Sequence, residues 1–117
     1  MIEELICRVF CTRNAAHLAH WKESSGYRHE TLAAFYEDVL DALDKLVEAH
    51  QGAFDLVDGV ELDQPKVKDI LKRLEDDMLW ISENRAKVTG KLPALDNILQ
   101  ELEGVYLKAI YKLRHLK

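Results

Sequence analysis

Chain breakers are scarce in this sequence. Two prolines and five glycines serve 117 residues, a composition that suits helices joined by few connections. Long apolar runs are missing too, since none approaches the roughly 18 uninterrupted positions that a membrane span needs. The opening MIEELICRVF lacks a basic n-region and a small-residue cleavage site, so a soluble, cytoplasmic protein with no membrane partner is expected. Positive charge is in deficit: 16 Lys and Arg against 21 Asp and Glu leave a net charge of −5. The field that would hold a polyanion without sequence preference is therefore lacking. Only two cysteines occur, Cys7 and Cys11. Four apart on a helix, they are poorly placed for a relaxed disulfide and are expected as free, half-buried thiols.

Several motifs are absent as well. No G-x-S-x-G, phosphate-binding loop or Rossmann glycine pattern is found, which removes the visible basis for hydrolase or nucleotide chemistry. No histidine has a glutamate three residues before it, so the Glu-x-x-His di-iron pattern is excluded. The acidic stretch DLVDGVELD lacks EF-hand spacing and its terminal bidentate glutamate.

What is present is helical periodicity in a chain that is 48% hydrophobic and 32% charged. Residues 1–117 read as one all-α domain, a four-helix bundle with helices over about 2–22, 27–51, 65–88 and 94–116. In the first, Ile2, Leu5, Ile6, Val9, Ala16 and His20 share a face that Arg13 interrupts. A second stripe, Cys7, Cys11 and Leu18, lies opposite, which predicts coverage by another subunit and hence a homo-oligomer. The second helix carries Leu32, Tyr36, Val39, Leu43, Leu46 and Val47 inward and closes at Gly52. Pro65 suits the first turn of the third helix. The fourth turns Leu95, Ile98, Leu99, Leu102, Val105 or Tyr106, Ala109 and Leu113 inward. The connection between the second and third helices is long enough either to cross the bundle, drawn taut, or to join antiparallel neighbours through a slack loop.

Four side chains stand out chemically. His20 points where a leucine belongs, His29 opens the second helix, and Asp44 and Glu48 project from one side of it at i and i+4. Histidine and carboxylate together suit iron and other borderline first-row metals. Read singly, each has a plainer explanation: a hydrogen-bonded histidine at a stripe end, a first-turn surface histidine, a solvated carboxylate face. Asp44 and Glu48 lie roughly 100° or more from their helix's core stripe, so any metal they hold requires a partner surface. His17, one turn before His20, is either a packed aromatic-edge residue or a second donor behind the ligands.

The stretch AHWKESSGYRHETLAAFYEDVLDALDKLVEAHQG resembles the Dps-like branch of the ferritin superfamily. The residues that carry the likeness are Ala19-His20-Trp21, Gly26-Tyr27, His29-Glu30, Asp44 and Glu48; the last helix, LDNILQELEGVYLKAIYKL, is similar in pattern only. The resemblance implies a ferritin-like fold and an intersubunit site with His20 and His29 from one subunit, Asp44 and Glu48 from its two-fold partner, and Trp21 alongside. It also implies Fe(II) oxidation by peroxide or oxygen, and storage of ferric iron in a shell, typically of twelve subunits. Ala33 stands where the family commonly has an acid, and the turn between the histidines is about three residues shorter. Those departures favour the alternative, a bundle that assembles but has lost the metal and is no enzyme. No lysine-rich tail precedes the first helix, so DNA binding is not expected. Its sole candidate is the basic end with Lys108, Lys112, Arg114, His115 and Lys117, which otherwise complements the helix dipole.

Overall fold

The computed structural model describes residues 1–63 and 65–116; Gln64 in the connection and Lys117 in the basic end lie outside the described residues. Four helices form: α1 (Ile2–Lys22), α2 (Gly26–Ala53), α3 (Ile70–Thr89) and α4 (Pro93–His115). Local chemistry sets their ends. Glu3 and Glu4 occupy the first turn of α1, and His20 and Lys22 the last, each sign matching the helix dipole. The Ser25 hydroxyl caps α2 by accepting from the Arg28 amide, and Pro93 opens α4 where a missing N–H costs nothing.

The start of α3 differs from the sequence expectation. Pro65 does not open it; the Asp69 side chain caps it by accepting from the Lys72 amide at 3.2 Å. Residues 65–69 instead belong to the connection, where the Pro65 carbonyl receives the Cys11 thiol. A carboxylate four residues on supplies the cap that a proline cannot.

Packing partners give the connectivity. Helix α1 lies against α2 and α3, and α4 against the same two. Arg8 reaches Asp77 while Thr12 meets both Asp77 and Arg73, so α1 and α3 run antiparallel. Arg28 donates to the Leu113 carbonyl and Lys45 pairs with Glu101, so α2 and α4 do likewise. The C-termini of α2 and α3 meet: Gly90 ends α3 with φ +62°, and a Cβ there would sit 2.6 Å from the Phe54 ring. Only glycine satisfies both the left-handed turn and that approach. Helices α2 and α3 are therefore parallel on the bundle diagonal, and the order is up-down-down-up. Residues 54–69 cross the full bundle; extended, they reach roughly 50 Å, against a longest dimension of 44 Å.

The crossover changes the reading of α1's second stripe. Its thiols are covered from within the chain: the Asp63 amide approaches Cys7 Sγ at 3.4 Å, and Cys11 Sγ lies 3.7 Å from the Pro65 carbonyl. Both thiols are free, with Cys11 buried, and loss of solvation pushes its titration up. The oligomer argument from this face therefore fails for the cysteines, because a taut strap covers them in place of another subunit. Leu18 alone stays open, at 54% exposure.

The core is apolar and continuous, from Leu5 and Val9 through Leu32, Val39 and Leu46 to Leu74, Leu99 and Leu102. Two aromatic positions sort themselves. Phe35 is buried and meets Tyr106 edge to face at 5.1 Å, whereas Tyr36 packs half-buried at the edge of the core, facing α1. No helix among the described residues is long and apolar enough to cross a membrane.

Candidate metal centre

The short link between α1 and α2 folds tightly because its polar groups answer one another. Glu23 accepts from the Ser25 amide and pairs with Arg28 at 3.1 Å. The Ser25 amide and the Arg28 guanidinium hold its carboxyl below the usual range. Arg28 also anchors the link to the end of α4 through the Leu113 carbonyl. The last turn of α1 is thereby laid against the first turn of α2.

His20 and His29 meet there. His20 Nδ1 lies 2.6 Å from the His29 carbonyl, and His29 Nδ1 lies 2.7 Å from the His20 carbonyl. Their rings stack at 3.6 Å between centroids. A carbonyl oxygen only accepts, so each Nδ1 carries the hydrogen, and in the neutral rings each Nε2 keeps its lone pair. This is the arrangement by which proteins fix the tautomer of a metal-binding histidine.

Aromatic neighbours hold the pair from one side. His17 stacks on Tyr36 at 4.1 Å and tilts against Trp21 at 4.6 Å. Tyr36 presents an edge to His20 at 5.5 Å, and its ring lies beneath the Arg13 guanidinium at 5.0 Å. Arg13, the charged intruder on α1, thus has a ring to cover. Trp21 itself is 66% exposed, a large apolar surface left uncovered beside the histidines.

The predicted carboxylates are not at this place. Asp44 and Glu48 are exposed on α2, and fifteen positions at 1.5 Å each put Asp44 about 22 Å from His29 along the helix. No cluster of three or more His, Cys, Asp or Glu suited to a metal occurs among the described residues. One chain brings together His20, His29, His17 and Trp21 and leaves Asp44 and Glu48 apart. On a wheel, however, Asp44 stands about 60° from His29 and Glu48 about 100°. The three fall within about 100° on α2, with His29 turned toward α1 and the two acids exposed.

Comparisons with protein families, with curated proteins and with solved structures find no match to this chain.

A second polar cluster gave no warning in the motif search. Asp77 is fully buried between α1, α3 and α4. Its Oδ1 accepts from Arg8 at 2.8 Å and faces Arg73 Nε at 3.3 Å; its Oδ2 accepts from Thr12 at 2.5 Å and Tyr106 at 2.6 Å. Arg73 also donates to the Thr12 hydroxyl. Burial and the Asp77 carboxylate push the Tyr106 hydroxyl well above its ordinary range. Periodicity does carry a signal for it: Asp77 falls between Leu74 and Ile81 on the inward stripe of α3, where a charge demands partners.

Proposed function

We propose that paired copies of this chain bind Fe(II) between them and oxidise it, in the manner of the Dps-like branch of the ferritin superfamily. The observation that carries the reading is the reciprocal Nδ1–carbonyl exchange between His20 and His29. It leaves two Nε2 donors on half-buried rings, held by backbone rather than by movable side chains. Two nitrogens are too few for a metal, and the carboxylates that complete the set lie on the same flank of α2. If two copies of α2 lie antiparallel about a two-fold axis near Glu37, His29 of one faces the 44–48 stretch of the other. Exposed Trp21 supplies apolar surface that such a contact covers. One long crossover between antiparallel helix pairs is also the connectivity of ferritin-like bundles.

Fe(II) is then the substrate. Two Fe(II) ions each give one electron to hydrogen peroxide, which takes up two protons and leaves as two waters. His20 and His29 anchor the incoming ion, and Asp44 and Glu48 of the partner subunit favour the more highly charged ferric product. The ferric iron is stored within a closed shell of subunits, and the cell is spared the peroxide.

One observation favours a second reading, a metal-free assembly protein. Ala33 stands one turn beyond His29 on the same flank and offers no donor, so the histidine pair would serve only to clamp α1 on α2. Anaerobic Fe(II) titration of the purified oligomer, followed by peroxide, separates the two. Saturable binding that falls below about pH 6, as neutral imidazole ligands require, supports the iron site. Equal affinity at pH 5 and pH 7 supports the clamp.

A further inference from the structure

The crossover is electrically two-faced. Residues 54–63 carry Asp55, Asp58, Glu61 and Asp63 with no base. None of these acids forms an ion pair among the described residues, and Leu56 and Leu62 between them are 76% and 63% exposed. The next stretch reverses the sign with Lys66 and Lys68. Those lysines border a groove of about 620 Å³ between α1 and the end of the crossover, with Lys22 on its far side and Leu18, Val67 and Ile70 along its floor. The other charges in the groove are already engaged: Glu23 with Arg28, and Asp69 as the cap of α3. Lys22, Lys66 and Lys68 have no partner among the described residues.

We propose that this groove receives the acidic half of the crossover from a second copy of the chain. Both complementary segments lie on one extended strap, so a single two-fold axis lays the acidic half of each copy over the lysines of the other. One operation satisfies two contacts, which is the mark of a self-complementary interface. Leu56 and Leu62 meet the apolar floor while the carboxylates meet three unpaired ammonium groups. A free polyanion suits the groove less well, because such a ligand brings no apolar residues to meet Leu18, Val67 and Ile70. The contact lies on the α1–α3 side, away from the histidine flank, and does not rest on the iron reading.

Charge inversion tests it. Lys66→Glu with Lys68→Glu, and separately Asp58→Lys with Glu61→Lys, change exposed residues of an irregular segment; circular dichroism checks that each variant remains helical. By sedimentation velocity across a concentration series, each variant alone should self-associate through this face at least about tenfold more weakly than wild type. An equimolar mixture should recover association, since each variant then presents the charge that the other lacks. Rising salt should weaken the wild-type contact, and His20→Leu should leave it unchanged. Wild-type association untouched by either inversion, or a mixture that stays as weak as its components, would overturn the proposal. Loss in the lysine variant alone would overturn it as well, by assigning the groove to a different anion.

Discussion

Two polar clusters of the bundle are built to opposite ends. Around Asp77 every oxygen is taken: two guanidinium groups, a threonine and a tyrosine close on one buried carboxylate. Around His20 and His29 the reverse holds, because each ring commits one nitrogen to the neighbouring backbone and keeps the other. A closed set has nothing left for a ligand and acts on stability and register. An open set beside uncovered apolar surface keeps two ring nitrogens that the fold does not use.

Breaking the closed cluster should have the largest effect. Asp77→Ala removes the shared acceptor of Arg8, Arg73, Thr12 and Tyr106 while both guanidinium groups keep some solvent, and should cost about 3 kcal/mol in urea denaturation, the low end for a broken buried pair. Tyr106→Phe strands only one lone pair and should cost about 1–3 kcal/mol. Its pH dependence sharpens the comparison. The folded-state titration of Tyr106 is raised above its ordinary 10.0, so its stabilising contribution is intact below pH 10 and is lost as pH rises through the folded value. Wild type should lose stability as pH rises above 10 toward the folded value, and Tyr106→Phe should lose less; parallel pH–melting curves for the two would contradict the assignment.

The open cluster should behave differently. His20→Leu should shift stability by no more than about 1 kcal/mol, the scale of one hydrogen bond, yet remove Fe(II) binding in titration. Smallest of all, Trp21→Ala should change monomer stability by less than about 0.5 kcal/mol, as mostly exposed residues do. Its effect should appear in sedimentation, as a weaker pair of subunits.

The helices are legible in the sequence because 3/4 spacing writes them directly; Leu5, Val9, Leu43, Leu99 and Leu102 are buried as their spacing requires. Spacing alone leaves Tyr106 open against Val105, and Asp77 makes the choice by attracting a hydroxyl that valine lacks. Tyr36 fits the core stripe by spacing and packs half-buried at its edge, because Phe35 fills the interior and His17 offers Tyr36 a ring to stack on. The length of the crossover permits either topology; Gly90 and Phe54 settle it through a contact between distant residues. Of the site, the pairing of His20 with His29 follows from the short link that lays one helix end on the next. On the reading proposed above, the carboxylates belong to a surface that one chain does not complete.

That last point is the central claim, and subunit mixing tests it most directly. One variant lacks the histidines, His20→Leu with His29→Leu; the other lacks the acids, Asp44→Ala with Glu48→Ala. Each alone should oxidise no iron above background. Unfolded together and refolded as an equimolar mixture, they should regain about a quarter of wild-type sites, because half of the randomly formed pairs carry one intact site of two. A mixture as inactive as its parts, with both variants folded and paired, would contradict a site shared between subunits.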